Sequence, residues 1–248
     1  MFQNLYLGIK FSFSYFSTLP IKFEPTDNLS HPHVLNIMLL CLPLVGYLLG
    51  LATVSLFSTL SFLGWYGAIF SAVFYMMLYG FLHTEAIIDV FDAIYASHGG
   101  KDAHQIIKEP TVGAVGVLYG VAFFLLKISG VVFLLTHALF AEFIAVLVIS
   151  RLSLLSLLVL HEFKSSFVTQ LKESLDYWFL ALMFIVITIT GSFFLKSFLI
   201  WLIMGTIFGF IISLFFANRL KFVNGDVLGA TLESVEILLF LVVAIFMV

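Results

Sequence analysis

The sequence predicts an all-α, polytopic integral membrane protein with about seven transmembrane helices and one domain over residues 1–248. Of its residues, 62% are hydrophobic and only 10% are charged, whereas a soluble domain is about half apolar and about a quarter charged. A membrane span needs about 20 apolar residues, so seven spans use roughly 140 residues and leave roughly 100 for loops and a site.

The amino-terminal residues 1–36 are predicted to form an interfacial helix followed by a loop. Lys10 interrupts the first apolar stretch, and prolines bound the segment after it. Because this stretch has no basic start, we expect no cleaved signal peptide. Long apolar runs then predict seven spans, the last of them short, at residues 37–60, 64–82, 113–135, 138–160, 177–195, 198–216 and 235–248.

The basic residues predict the orientation of these spans. Cytoplasmic loops of membrane proteins collect lysine and arginine. With a cytoplasmic amino terminus, eight of the eleven basic residues share the cytoplasmic side: Lys10, Lys22, Lys101, Lys108, Lys164, Lys172, Arg219 and Lys221. We therefore expect a multi-pass protein of the cell inner membrane whose active site faces the cytoplasm.

Charge and cysteine content exclude other partners and chemistries. The net charge of -3 gives no basic footprint for nucleic acid. The single cysteine, Cys41, cannot form an internal disulfide. The expected partners are small-molecule substrates and membrane lipids, and a homo-oligomer is left open.

Residues 83–112 are predicted to form a carboxylate helix and a cytoplasmic loop. At 100° per residue, Glu85, Asp89 and Asp92 lie on one stripe of the helix. Three carboxylates near a membrane repel one another unless a cation neutralises them, and oxygen ligands suit Mg²⁺ or Mn²⁺. We therefore predict a metal site on these residues. The alternative is a solvated helix face just outside the membrane.

A second acidic motif covers residues 218–236. Asp226 and Glu233 are seven residues apart and share a helical face, and Glu236 lies close to it. The small Gly229 beside them would let another helix or a ligand approach closely. The alternative is that Asp226 caps the helix while Glu233 and Glu236 sit among the lipid headgroups.

Basic residues near these motifs are candidate substrate ligands. Lys101 and Lys108 lie in the loop after the carboxylate helix and could hold phosphate, together with the exposed backbone around Gly113. Arg151 lies well inside the fourth predicted span, where a guanidinium needs a partner, and a binding role is predicted for it. Lys127 is expected only to extend its ammonium toward the membrane surface.

Three segments of the chain carry motif-like patterns. They are HTEAIIDVFDA at residues 83–93, KEP at 108–110 followed by Gly113 and Gly116, and NGDVLGATLESVE at 224–236. These segments resemble the cobalamin synthase family, adenosylcobinamide-GDP ribazoletransferase, whose pattern is close to H-x-D-G-L-A-D-x-x-D-G and, later, T-G-D-x-L-G-A-x-x-E-x-x-E. Because FSTLP at 16–20 and LPLVG at 42–46 look like the family's opening segments, the resemblance covers almost the whole chain in order.

The resemblance implies a transferase that joins α-ribazole, or its 5′-phosphate, to adenosylcobinamide-GDP. GMP leaves, and adenosylcobalamin or its phosphate forms by metal-assisted attack on a pyrophosphate. In this interpretation Glu85, Asp89 and Asp92 bind one or two Mg²⁺ ions, with Mn²⁺ as the alternative cofactor. Asp226 and Glu233 are the catalytic residues that complete the site or orient the nucleophile. Lys108 is the pyrophosphate clamp.

Two other functions compete with this interpretation. A CDP-alcohol-type phosphatidyltransferase also brings carboxylates and metal to a nucleotide diphosphate, but its D-x-x-D-G-x-x-A-R pattern is not met, because Ala93 follows Asp92. An ion-coupled transporter would place acidic residues in the middle of its spans. The sequence instead predicts that the acidic residues cluster at helix ends on one side.

Overall fold

The computed structural model describes residues 2–100, 102–109 and 111–247, which form a bundle of twelve α-helices. In chain order they are α1 (Phe2–Phe16), α2 (Pro32–Leu40), α3 (Leu42–Leu60), α4 (Trp65–Leu78), α5 (Leu82–Ser97), α6 (Ala103–Ile106), α7 (Ala114–Thr136), α8 (Phe140–Leu160), α9 (Ser166–Ser174), α10 (Tyr177–Phe194), α11 (Phe198–Leu220) and α12 (Gly225–Met247). The all-α fold class is confirmed.

Within the described residues, six segments are long and apolar enough to cross a membrane. They are α7, α8, α10, α11, α12 and α3, the last with the short 3₁₀ turn that follows it. The helices α4 and α5 pass the same test only as a pair bent by 77°, which brings the count to seven. The prediction of a polytopic membrane protein with about seven spans is confirmed.

The second predicted span, residues 64–82, is not one straight helix. α4 ends at Leu78, and Gly80 and Phe81 then adopt the left-handed backbone conformation, with φ of 65° and 56°, before α5 begins. Thr18 satisfies the end of α4, because its backbone N–H donates to the Leu78 carbonyl at 2.7 Å. The prediction of one continuous span was wrong here because hydropathy does not register a turn that a distant segment stabilises.

The last span is not short. α12 covers Gly225–Met247, whereas the apolar run predicted a helix over residues 235–248. Asp226, Glu233 and Glu236 interrupt the hydropathy pattern, but both glutamates are fully buried inside the protein and do not face lipid. The prediction was wrong because hydropathy cannot tell a buried, paired charge from an exposed one.

The core of the bundle is built around α8. Most of α8 is buried, and it packs against α3, α11 and α12. The helix α5 packs against both α12 and α7, which also contact each other. Glycines on α7 allow this close approach, since a side chain at Gly116 or Gly120 would collide with Ile88. α10 lies at the edge, where Leu180 is its one buried residue.

The loops that follow α5, α8 and α11 lie on one face of the bundle, which we call the loop face. The backbone N–H of Lys164 donates to the carbonyl of Val223 at 2.8 Å. The rings of His104 and Phe222 contact each other, with centroids 4.9 Å apart. These contacts bring together the loops that the positive-inside rule assigns to one side. Lys101, which belongs to the same loop region, lies outside the described residues.

Candidate active site

Four carboxylates from the two predicted acidic motifs meet near the loop face. Glu85, Asp89 and Asp92 share one stripe of α5, and Asp226 lies in the first turn of α12. The negative charges of Asp226, Glu85 and Asp92 all act on Asp89, and that of Glu85 acts on Asp226. Glu85 is exposed and the other three are half-buried. We call these four residues the acidic cluster.

Local hydrogen bonds fix two members of the acidic cluster. The backbone N–H of Gly113, at the start of α7, donates to Oδ2 of Asp92 at 2.9 Å. Asn224 donates to Oδ2 of Asp226 at 2.7 Å, and its own Oδ1 accepts from the N–H of Val227. Asn224 therefore caps α12, and the alternative that Asp226 caps this helix is wrong.

No protein cation neutralises the acidic cluster within the part of the chain that the structure describes. The ion pairs found there, which join lysine or arginine nitrogens to carboxylates within 4.0 Å, involve Glu162, Glu233 and Glu236 but none of the four. Carboxylates near a membrane that lack a cationic partner are costly. The acidic cluster therefore favours a cation from outside the chain.

The carboxylate oxygens of the acidic cluster are suitable ligands for Mg²⁺ or Mn²⁺, but they do not form a complete metal site by themselves. Carboxylate oxygens are the ligands that hard divalent cations prefer. Among the described residues, no group of three or more His, Cys, Asp or Glu side chains is arranged so that it could hold a metal ion by itself. Mg²⁺ is commonly bound through one or two carboxylates, with water and substrate phosphate as the other ligands. The cluster fits that mode of binding and not a closed protein cage.

Glu233 does not belong to the acidic cluster. It is fully buried, and its carboxylate accepts hydrogen bonds from Thr84 at 2.9 Å, Tyr79 at 3.2 Å and the ammonium of Lys127 at 2.5 Å. Lys127 is itself fully buried, so the expectation that it reaches toward the membrane surface is wrong. Through Thr84, Glu233 contacts the first turn of α5, which carries the acidic cluster.

A second buried pair extends this arrangement. Glu236 lies 2.8 Å from Lys127 and also pairs with Arg151, and it accepts a hydrogen bond from Tyr75 at 2.9 Å. Arg151 further donates to the backbone and to Ser150. We call the four residues Lys127, Arg151, Glu233 and Glu236 the buried charge network. The two positive and two negative charges of this network balance. Arg151 is engaged there by Glu236 and does not reach the acidic cluster.

The buried charge network was not predicted from the sequence. Glu233 and Glu236 lie well inside α12, as Lys127 and Arg151 do in α7 and α8. The expectation that the acidic residues cluster at helix ends on one side is therefore wrong for Glu233 and Glu236. The sequence does contain a signal for the buried charge network. Both acidic and basic residues lie inside apolar segments, and such charges must pair.

The two predicted glycines have structural contacts. Gly229 is where α12 crosses α5, and a Cβ there would meet the side chain of Ala86 at 2.9 Å. Gly113 directs its N–H to Asp92, and a side chain at Gly113 would collide with that carboxylate. The close approach predicted at Gly229 is thus made by a helix, and Gly113 positions a member of the acidic cluster.

The predicted phosphate ligands lie in the loop after α5. Lys108 is exposed on the loop face, and Lys101 lies outside the described residues. Burial lowers the pKa of His104, and the positive charges of Lys108 and Lys164 lower it further. Lys108 and Lys164 are therefore both close enough to His104 for their charges to act on it.

Comparison with known proteins gives a consistent result. The sequence model of the cobalamin-5-phosphate synthase family matches residues 8–244. An adenosylcobinamide-GDP ribazoletransferase of Chlorobium chlorochromatii is 28% identical over 231 residues, covering 88% of each chain. A protein of the same name from Clostridium perfringens strain SM101 is 24% identical over 241 residues, covering 93% of this chain and 94% of its own. No solved structure matches the chain.

Proposed function

The chain belongs to the cobalamin-5-phosphate synthase family, and from that premise we propose that it is an adenosylcobinamide-GDP ribazoletransferase. It joins α-ribazole, or the 5′-phosphate of α-ribazole, to adenosylcobinamide-GDP and releases GMP. The product is adenosylcobalamin or its phosphate. The observation that carries the proposal from family to site is the acidic cluster. In it, two separate family-like motifs come together, and none of the described lysines or arginines pairs with them.

The reaction exchanges a phosphoanhydride bond for a phosphate ester bond. A hydroxyl oxygen of the ribazole attacks the phosphorus attached to cobinamide, and the bond from that phosphorus to the bridging oxygen breaks. The bridging oxygen leaves with GMP, and the hydroxyl gives up its proton. Catalysis of such a transfer depends on positioning and on neutralising the phosphate oxygens.

The residues of the acidic cluster supply these functions. Asp89 and Asp92, with Glu85 beside them, would hold Mg²⁺ or Mn²⁺, which when bound neutralises pyrophosphate oxygens and stabilises the leaving phosphate. Asp226 is held by Asn224 on the facing helix, where it can orient the attacking hydroxyl and accept its proton.

Two further groups support the acidic cluster in this proposal. Lys108, exposed on the loop face, contributes a mobile positive charge that holds the pyrophosphate. Glu233 orients the nucleophile only indirectly, because its contacts with Thr84 and Tyr79 fix the start of α5. The catalytic role first assigned to Glu233 thus becomes a positioning role.

We further propose that the loop face meets the cytoplasm from the cell inner membrane. This orientation rests on the eight basic residues that share one side. Single cysteines placed at Lys164 or Lys221 in a Cys41→Ala background should react with a membrane-impermeant thiol reagent only after the cells are opened. Labelling of either position in intact cells contradicts the orientation.

The proposed function is tested by metal-dependent turnover of the purified protein with adenosylcobinamide-GDP and α-ribazole. Asp89→Asn and Asp92→Asn should each lower kcat roughly 10²-fold or more, because an amide cannot supply the negative charge that holds the metal. Glu173→Gln removes an exposed carboxylate from α9 and is the matched control. Wild-type turnover by either Asn variant at saturating Mg²⁺ contradicts the metal assignment, and absence of turnover in the unmodified protein contradicts the activity.

A further inference from the structure

The break between α4 and α5 turns the chain by 77°. α4 ends there in a Schellman motif, in which the N–H of Gly80 donates to the carbonyl of Met77 at 3.0 Å. The N–H of Phe81 donates to the carbonyl of Met76 at 3.1 Å. Phe81 also adopts the left-handed conformation, with φ of 56°, which a bulky side chain disfavours. Such a conformation persists only where its surroundings impose it, so contacts around the break must hold the direction of α5.

Tyr79, at the end of α4, makes contacts of this kind from inside the bundle. Its side chain is buried, and its hydroxyl accepts a hydrogen bond from Nζ of Lys127 at 3.1 Å and donates to Oε1 of Glu233 at 3.2 Å. Thr84, in the first turn of α5, donates to the same Glu233 oxygen at 2.9 Å, and the two hydroxyls are 3.1 Å apart. One carboxylate oxygen therefore binds a hydroxyl from each side of the break.

Tyr75, one helical turn earlier in α4, has a similar environment but a different reach. It is fully buried, and its hydroxyl donates to Oε2 of Glu236 at 2.9 Å. The ammonium of Lys127 lies over the rings of both tyrosines, 5.3 Å from the centroid of Tyr75 and 4.6 Å from that of Tyr79. The hydrogen bond of Tyr75 to Glu236 joins α4 to α12, whereas the contacts of Tyr79 span the break to α5.

The direction of α5 determines where the acidic cluster lies. Asp89 is five residues beyond Thr84, or about 7.5 Å along the helix axis. A rotation of about 10° at the break would move Asp89 by about 1.3 Å relative to Asp226 on α12, whereas a functional site tolerates displacements of about 0.5 Å. Gly113 holds Asp92 farther along α5, so contacts at the break have to hold the part of α5 that carries Asp89.

We propose that Tyr79 is a positioning residue. By sharing Oε1 of Glu233 with Thr84, its hydroxyl fixes the angle between α4 and α5 and thereby the distance from Asp89 to Asp226. Tyr79 acts through α5, because its hydroxyl contacts Thr84, Glu233 and Lys127 and no member of the acidic cluster. The effect on catalysis rests on the proposed function, whereas the effect on the helix angle does not.

Tyr79→Phe removes the hydroxyl and keeps the ring, and two spin labels measure the result. In a Cys41→Ala background, cysteines replace Tyr66 in the first turn of α4 and His98 after α5, both of which are exposed. Pulsed electron resonance on the purified protein gives the distance between the labels. His98 lies about 24 Å beyond the start of α5, so a rotation of about 10° displaces it by about 4 Å. We expect Tyr79→Phe to shift or broaden the distance distribution on this scale and Tyr75→Phe to leave it unchanged.

Turnover separates positioning from loss of stability. Each tyrosine variant removes one hydroxyl that donates to a buried carboxylate, so both should lower Tm by similar amounts. Tyr79→Phe should also lower kcat roughly ten- to a hundredfold, because misplacing a reacting group by about 1 Å costs a rate on that scale. The KM for adenosylcobinamide-GDP should stay within about threefold of the wild-type value. Tyr75→Phe, the matched control, should keep kcat within about twofold.

Variants of Thr84 test the other side of the break. Thr84→Val keeps the shape of the side chain without its hydroxyl, and it should change the label distance and kcat in the same direction as Tyr79→Phe. Thr84→Ser keeps a donor for Glu233 and should change both less. Because Tyr79 is intact in these variants, they decide the question even where Tyr79→Phe does not fold.

The outcomes separate this inference from the proposed function. A wild-type label distance in both Tyr79→Phe and Thr84→Val contradicts the inference, and so does a Tyr75→Phe variant that changes the distance as much. Wild-type kcat in Tyr79→Phe shows that its hydroxyl does not position the site for the reaction. If the label distance changes as expected but the unmodified protein does not turn over, the role of Tyr79 in directing α5 stands and the proposed function is wrong.

Discussion

Removal of the Lys127 ammonium should destabilise the folded protein, and the geometry of the buried charge network gives the scale. Its Nζ lies 2.5 Å from a Glu233 oxygen and 2.8 Å from a Glu236 oxygen, with all three side chains fully buried. At an effective dielectric constant of about 20, each contact has about 6 kcal/mol of gross attraction, most of which desolvation offsets. Breaking such a pair by removing one partner costs about 3–5 kcal/mol, and we expect Lys127→Met to lose stability in this range.

The measurement is thermal unfolding of the purified protein in detergent micelles. For a chain of this length, 1 kcal/mol shifts Tm by about 2–4 °C, so Lys127→Met should lower Tm by roughly 6–20 °C. Lys196→Met removes an exposed lysine from a loop on the opposite face and serves as the control. Its Tm should stay close to that of the unmodified protein, because a single exposed charge contributes little to stability.

A double variant tests whether charge balance is the cause. Lys127→Met leaves two buried carboxylates facing one guanidinium, whereas Lys127→Met combined with Glu233→Gln restores a single pair between Arg151 and Glu236. We expect the double variant to recover at least half of the lost Tm. A single variant as stable as the unmodified protein, or a double variant less stable than the single one, would refute the reasoning.

Three other changes have defined outcomes. Gly113→Ala should lower turnover about ten- to a hundredfold with an unchanged Tm, because the added methyl displaces Asp92 from its N–H partner; full activity would contradict this. Thr18→Val removes a hydroxyl that donates to two carbonyls at the end of α4, at 3.2 Å each, and should cost about 1 kcal/mol in thermal unfolding; an unchanged Tm would mean that the backbone bond suffices. Lys108→Ala should lower kcat/KM roughly ten- to a hundredfold, and Lys196→Ala should not; equal small losses in both would show that Lys108 contributes only general charge.

Lys164 is not a suitable control for the Lys108 experiment. Lys164 lies in a loop that carries no family-like motif. Yet the positive charges of Lys108 and Lys164 both act on His104, so the two lysines share a neighbour. Lys196, between α10 and α11, lies on the opposite face and does not share that neighbour.

Most of the fold and half of the candidate site could be predicted from local sequence pattern. Apolar runs define membrane spans because a spanning helix must satisfy its backbone internally and expose apolar side chains. Helical periodicity alone places Glu85, Asp89 and Asp92 on one stripe. These inferences succeed because they depend on residues that are neighbours along the chain.

The remainder depends on contacts between distant segments. Thr18 stabilises the turn between α4 and α5 across about sixty residues, and no local pattern marks it. Glu233 contacts Lys127 from a helix more than a hundred residues away. The sequence can require that a charge inside a span be paired, but it does not identify the partner or tell a paired glutamate from a catalytic one.

The helix α12 has two functional parts, which differ in the partners of its three acidic residues. Near the loop face, Asp226 meets other carboxylates and no described cation, so it favours an external cation or a substrate hydroxyl. Deeper in the bundle, Glu233 and Glu236 meet Lys127 and Arg151, and their charges cancel. A balanced, buried network does not need a ligand, and it provides a fixed frame. Because Glu233 accepts a hydrogen bond from Thr84 in the first turn of α5, that frame holds the helix on which the unbalanced carboxylates stand.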